Sequence, residues 1–201
     1  MRDLVNTTTN TIALLESALH QTETIVAAIQ PEQLSRPTPC SEWDVKSLLR
    51  HVVAQDMRNF IVSARGEIPN WQAPPDDLPD NWAAGFHEQA EILLDTWRGA
   101  DLDQLVPMPG GREAPLRGRA DQQIAELAVH GWDLVRATGQ TIELDPRLAE
   151  HALAWSRQML RPEFRGPDKA FGFEVPVPDN APIQDRMVGW FGRDPRWTPR
   201  T

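Results

Sequence analysis

Apolar side chains recur along most of this chain at steps of three and four residues, and clusters of proline and glycine separate one stripe from the next. From about Leu4 to Ile29, Ile12, Leu15, Leu19, Val26 and Ile29 define the buried face of a first amphipathic helix, which Pro31 closes. After the turn Ser35 to Cys40, Ser41 is placed to cap a second helix, with Asp44 completing a capping-box-like pattern, so that helix is predicted to start near Glu42. It carries Val45, Leu48, Leu49, Val52, Val53, Met57 and Ile61 and should reach about Ala64, before Gly66 and Pro69. Pro69 to Pro79 holds four prolines and reads as a loop. Asp80 or Asn81 can then cap a third helix bearing Phe86, Ala90, Leu93, Leu94 and Trp97, which stops at Gly99.

Pro107, Pro109, Gly110, Gly111, Pro115 and Gly118 break the next stretch, which is predicted to be a long crossover with room for a short hairpin. A fourth helix follows from about Ala120 to Thr138, with Ile124, Leu127, Ala128, Leu134 and Val135 inward and Gly139 as a left-handed cap. Asp145 and Pro146 open a fifth, to about Leu160. The last segment, punctuated by Pro167, Pro176, Pro178 and Pro182, contains one short apolar turn from Arg186 to Phe191. Phe171, Phe173, Trp190 and Phe191 would be poorly placed in free solution, so this tail is expected to wrap the helices. The fold class is therefore all-α, in one domain over residues 1–201: a helical core to about 162 and a wrapping tail from about 163.

Composition narrows the partners. A formal charge of -9 makes a grip on nucleic acid phosphates a poor expectation. No apolar run reaches the roughly 18 residues that span a bilayer, and the first residues lack a signal-like apolar region, so neither a membrane nor export is expected and the protein is read as cytoplasmic. Cys40 is the only cysteine, which excludes an intrachain disulfide and a Cys-rich zinc module. Eight tryptophans beside no tyrosine is unusual, but only their positions can say whether they pack a core or line a cleft.

The candidate chemistry sits on the second and fourth helices. Glu126 and His130 are four apart, a spacing that puts a carboxylate and an imidazole on one helix face. A third ligand must come from a neighbouring helix, as in bundle metal sites, and His51 lies mid-helix in an apolar segment where an imidazole has no packing reason to be. Two histidines and a carboxylate can hold a divalent metal with positions left open. The plain alternative is a surface pair worth a few tenths of a kcal/mol (~0.3) beside a hydrogen-bonded core histidine.

Other groups carry less. His87 and Glu88 start an H-E-x-x-H motif that fails at Glu91, so His87 reads as solvent-facing. His20 and His151 have no partner at useful spacing and are expected on the surface. Cys40 precedes His51 by about three turns and is expected to be a buried structural thiol rather than a ligand or nucleophile. Gln55, one turn after His51, is the candidate to bind substrate, while Arg58 and Asp133 could support the site or simply be solvated.

Three stretches carry a resemblance. Thr38-Pro39-Cys40-Ser41-Glu42-Trp43-Asp44-Val45 with Leu48 to Val53, and Glu126 to Leu134, resemble the second- and fourth-helix signatures of the DinB-like metal-binding proteins related to the N-terminal domain of mycothiol-dependent maleylpyruvate isomerase. Phe171 to Pro178 and Gly192 to Trp197 resemble the tail of an actinobacterial subgroup of that family. The resemblance implies a DinB-like four-helix bundle with a long crossover, extended here by a fifth helix and a C-terminal tail. It implies zinc or nickel held by His51, Glu126 and His130, a low-molecular-weight thiol such as mycothiol as cofactor, a small-molecule substrate and a homodimer.

The expected function is thus a metal-dependent, mycothiol-type S-transferase or related thiol-using enzyme acting on a small electrophile. Where the isomerase has a second domain a short tail follows the fifth helix here, so maleylpyruvate isomerisation itself is not the expected reaction. The alternative is a non-catalytic metal- or ligand-binding module of the same fold. A non-haem iron oxygenase shares the ligand set but uses a β scaffold that this helical pattern does not suggest.

Overall fold

The computed structural model of the protein describes residues 2–108, 111–166, 169 and 171–199, with side chains from residue 10 onward. Pro109, Gly110 and Pro167, three of the predicted breakers, lie outside the described residues. Helix α1 spans Arg2–Ala27, and a single 3-10 turn at Pro31–Gln33 follows it. Then come α2 (Val45–Arg50), a π-helical segment (His51–Asp56) and α3 (Met57–Ala64), one continuous rod, and α4 (Trp82–Arg98). Strands β1 (Leu105–Met108) and β2 (Arg112–Pro115) pair antiparallel as the hairpin of the crossover. Helices α5 (Arg117–Thr138), α6 (Pro146–Met159) and α7 (Ile183–Trp190) complete the chain.

The bundle is α1, the α2–α3 rod, α4 and α5. Helix α1 packs against α4 and α5, and the rod packs against the same two, so the α1–rod and α4–α5 connections each cross the bundle. Every residue of the predicted stripes on the rod, α4 and α5 is buried, because each helix turns its three-and-four pattern to a common axis. In α1 the stripe Leu15, Leu19 and Val26 is buried, as is Ile29 just past the helix end at Ala27, while Ile12 is half-buried at the edge. Among the described residues no helix is long and apolar enough to cross a membrane.

Two helix starts differ from expectation. Asp44, not Ser41, caps the second helix, accepting a hydrogen bond from the Ser47 N–H at 2.8 Å, and the helix starts at Val45. Residues 41–43 are instead spent on a turn folded around the buried Thr38 hydroxyl, which donates to the Cys40 and Trp43 carbonyls at 3.0 and 2.8 Å. The turn carries Trp43 to the end of the bundle where the polar residues gather. Helix α5 starts three residues earlier than predicted and ends as expected at Gly139, whose φ of 72° favours glycine. Its last carbonyl, that of Thr138, accepts from Gln33 and Arg36 at 2.9 and 3.3 Å, which satisfies an orphan acceptor of the helix end.

The tail wraps the bundle by way of α6. Helix α6 packs on α5, α7 packs on α6, and Phe191 is buried while Phe171 and Trp190 rest against the core. Phe173 departs from expectation at 67% exposure, because the irregular segment that holds it turns its side chain outward. That segment crosses α7 so closely that Gly189 has room for no Cβ, which would stand 2.4 Å from a Val177 methyl and 2.8 Å from the Val175 carbonyl oxygen.

Candidate metal centre

His51 opens the π segment of the rod, and Glu126 and His130 lie one turn apart on α5. One ligand atom from each lies within 4.8 Å of the other two, and the two imidazole rings meet edge to face at 5.2 Å. Trp43 covers both rings, its centroid 4.6 Å from that of His51 and 5.9 Å from that of His130. His130 is buried, whereas 15% of the His51 side chain and 27% of the Glu126 side chain face solvent, which gives the cluster an open side.

The ring nitrogens are already assigned their tasks. Nδ1 of His51 stands 2.8 Å from Oε1 of Gln55, and Nε2 of Gln55 donates to the Trp71 and Ala73 carbonyls, both at 3.3 Å. Those two carbonyls fix which end of the amide is the oxygen, so Nδ1 of His51 must be the donor and Nε2 carries the lone pair. Nδ1 of His130 likewise faces a carboxylate, Oδ2 of Asp133, at 3.2 Å, leaving Nε2 toward Oε2 of Glu126 at 3.3 Å. Each imidazole is thus oriented from behind, as a metal-binding histidine requires.

The electrostatics are those of a crowded anionic pocket. Burial disfavours the charged form of His130, but the carboxylates of Asp133 and Glu126 outweigh it and lift its pKa to about 9. Burial and the neighbouring His130 cation push His51 the other way, down to about 4. Burial would raise Glu126, yet His130 holds it below the usual carboxylate range; Asp133 is held low by Arg193 and His130 against the same burial. Asp56, the last residue of the π segment, is 1% exposed and displaced upward, by burial first and by Glu126 second.

The donor set fits a divalent cation, since two imidazoles held at Nδ1 and one carboxylate bring their ligand atoms within 4.8 Å of one another. Both carboxylate oxygens of Asp56 are buried without a hydrogen-bond partner, and Oδ1 stands 3.3 Å from Nε2 of His51. The upward displacement of Asp56 favours its protonated form, which faces the Nε2 lone pair as a donor.

Comparison with known proteins places this geometry. Residues 15–135 match the family described as the mycothiol maleylpyruvate isomerase N-terminal domain, a span that includes His51, Glu126 and His130. The chain belongs to this family. It is 32% identical over 184 residues to an uncharacterised protein found in two strains of Mycobacterium tuberculosis, covering 86% of this chain and 91% of that one. Its fold resembles the crystal structure of the mycothiol-dependent maleylpyruvate isomerase and that of a histidine-to-alanine mutant of the same enzyme. Each superposes with a TM-score of 0.53 at 17% identity, over 75% of this chain and 72% of the other.

Within this maleylpyruvate isomerase-like domain the remaining candidates sort clearly. Gln55 spends its amide on His51 and the 70–77 loop, and Asp133 orients His130. Arg58 ties the same loop through Asp76 at 2.7 Å, outside the cluster. His87 faces solvent as expected, 2.8 Å from Glu23, and His20 is exposed. His151 does have a partner across the helix interface, its Nε2 3.0 Å from Asp121 Oδ1, because α6 packs flat on α5. Cys40 is half-buried rather than buried, within electrostatic reach of Arg193, Asp133 and Glu126. Burial pushes its thiol pKa up more than Arg193 pulls it down, so it is a protonated thiol beside the site and a poor nucleophile.

Sequence reasoning missed two residues. Asp56 lies three and four positions after Val53 and Val52, on the apolar face of the second helix, and an acid in a core stripe was a legible signal. Arg193 comes from the tail: its Nη2 meets Oδ2 of Asp133 at 3.0 Å in a pair with 9% and 0% of the side chains exposed. The stretch Gly192 to Trp197 carries part of the family resemblance, but no local pattern there ties Arg193 to a site built sixty residues earlier.

Proposed function

We propose that this protein holds a divalent metal, zinc or nickel, on His51, Glu126 and His130 and is a thiol-using enzyme, a mycothiol-type S-transferase acting on a small electrophile. The observation that carries the reading is the convergence of the three side chains within 4.8 Å, with each imidazole held from behind. Nitrogen-rich donors suit zinc or nickel better than magnesium or calcium. A metal held there lowers the pKa of a thiol and makes its thiolate available at neutral pH. That a similar fold is a mycothiol-dependent isomerase supports a thiol as the partner.

The chain's own residues supply the rest. Gln55 and Asp133 fix the tautomers that point Nε2 of each histidine inward. Trp43 forms an apolar roof over both rings and keeps water from one side, while the exposed edge of Glu126 marks the approach for substrate. Arg193 offsets the charge of Asp133, so the pocket does not hold an uncompensated anion behind His130.

Metal-loaded protein incubated with mycothiol or a surrogate thiol and a panel of small electrophiles should yield thioether conjugates by mass spectrometry, and His51→Ala should yield none. Uptake of metal by the wild type with no conjugate across a broad panel would refute the transferase reading.

A further inference from the structure

Away from the metal cluster, two guanidiniums converge on one indole. Trp190 is the last residue of α7; the Cζ of Arg165 lies 4.4 Å from its ring centroid, and the Cζ of Arg157, from α6, lies 5.8 Å from it. Both distances are in the range of a cation–π contact. No anion accompanies the two cations. Among the described residues neither arginine forms an ion pair, and Glu174, within electrostatic reach of Arg165, does not close on it.

The hydrogen bonds leave donors over. Arg165 is anchored through Nη1 to the Trp190 and Gly172 carbonyls, at 2.7 and 3.3 Å. Its Nη2 has no acceptor, nor has Nε1 of Trp190, and both atoms are buried. Arg157 is exposed and has no partner but the indole. Stacking accounts for one guanidinium on the ring, but it leaves a second like charge beside it and two buried N–H groups open. Each such donor costs about 1–3 kcal/mol, and in a folded protein it points to a bound water or ion. Water would serve the donors and leave the two positive charges uncompensated. A phosphate group, with several acceptor oxygens and a charge of about -2 at neutral pH, serves both needs.

We propose that Arg157, Arg165 and Trp190 form a phosphate-binding site where α6, α7 and the tail meet. The two guanidiniums supply charge-assisted hydrogen bonds and the indole N–H a third contact. Arg165 and Trp190 are the fixed members, tied to each other through the Trp190 carbonyl; Arg157, the exposed member, shifts from the indole to uncover the two buried donors and closes on the ligand. The group bound is a phosphate, free or carried on a small molecule. An organic part would rest on Phe173, which is 67% exposed and stands beside Gly166, the neighbour of Arg165: a Cβ at Gly166 would lie 3.5 Å from Cζ of Phe173. The site shares no residue with the metal centre, so it stands or falls apart from the metal reading.

Nitrogen-15 NMR of the full chain, with inorganic phosphate added at an ionic strength held constant with chloride, tests this at the site itself. The chain has eight tryptophans, and Trp190→Phe identifies which indole N–H resonance belongs to Trp190. That resonance should move with phosphate and saturate, with a Kd of about 1 mM or tighter. Arg157→Gln should raise the Kd at least fivefold at an unchanged melting temperature, since Arg157 holds nothing but the indole, and Arg157→Lys, which keeps the charge and loses the fork, should fall between. Phenyl phosphate separates the two sources: tighter binding than inorganic phosphate marks a phosphate ester as the ligand, and equal or weaker binding marks the free ion. A Trp190 resonance that stays still up to about 20 mM phosphate, or that moves with the same Kd in Arg157→Gln, would overturn the site.

Discussion

Replacing Arg193 by leucine separates a tail that merely covers the bundle from one that maintains the site. The guanidinium is 9% exposed and the Asp133 carboxylate fully buried, with Nη2 to Oδ2 at 3.0 Å and Nε to Oδ1 at 3.4 Å. Removing the cation leaves a buried carboxylate with the His130 imidazole at 3.2 Å as its remaining partner. Breaking one side of a buried pair costs about 3–5 kcal/mol, most of it the penalty of the charge left behind. In a chain of this size each kcal/mol moves the melting temperature by about 2–4 °C, so Arg193→Leu should melt roughly 6–20 °C below the wild type.

A double-mutant cycle tests the cause. Asp133→Asn alone strands the arginine and should cost a similar amount, whereas the Asp133→Asn, Arg193→Leu double variant strands neither charge and should recover at least half of the summed loss. Urea unfolding followed by circular dichroism gives all three values. A loss below about 1 kcal/mol for Arg193→Leu, or strict additivity of the two single changes, would refute the reasoning, because the buried pair would then be energetically idle.

Two further outcomes follow from the same geometry. In chelator-treated protein, the raised pKa of His130 gives stability that is full below its unfolded value near 6.5 and lost as pH rises through about 9, and raised Asp56 acts in the same sense. The lowered pKa of His51 gives stability present above 6.5 and lost as pH falls through about 4. Metal-free stability should therefore peak near pH 6.5, zinc affinity should climb with pH up to about 9 as His130 gives up its proton, and a stability that rises monotonically from pH 6 to 9 would contradict this. Gln55→Glu should keep zinc affinity within about threefold, since a carboxylate still accepts from His51 Nδ1, but its second oxygen would face the Trp71 and Ala73 carbonyls. Hydrogen exchange should then speed up across residues 70–77, and unchanged exchange there would show that Gln55 does not hold the loop.

The helices were legible because their energetics are local and periodic: the stripes from Leu15 to Ile29, Val45 to Ile61 and Phe86 to Trp97 needed only a count of three and four. The His51, Glu126 and His130 trio was legible for the same reason, spacing on one helix plus one imidazole out of place on another. The π turn was not, because residues 45–64 read as one unbroken α stripe and a widened turn changes no residue type. The cap was misplaced by three residues because Ser41 and Asp44 are both good caps, and what decides between them is the Thr38-centred turn. Arg193 was invisible for a different reason: its partner is sixty residues away, and no local rule connects a tail arginine to the back of a histidine.

That division has a consequence for how the site can vary. Neither imidazole is aimed by its own helix alone. His51 is held by Gln55, whose amide is fixed by the carbonyls of the α3–α4 loop, and Arg50 and Arg58 bind that loop from the same rod, Arg50 Nη2 to the Pro75 carbonyl at 2.7 Å and Arg58 to Asp76 at 2.7 Å. His130 is held by Asp133, whose charge is matched from the tail. Each inward-pointing nitrogen thus depends on one irregular segment, and those segments, unlike the bundle core, can change length and sequence without repacking a stripe. Changes in residues 70–77 or around Arg193 would reorient or recharge an imidazole by way of these contacts, with His51, Glu126 and His130 left in place, and under the proposed function they would retune metal affinity and the acidity of a bound thiol.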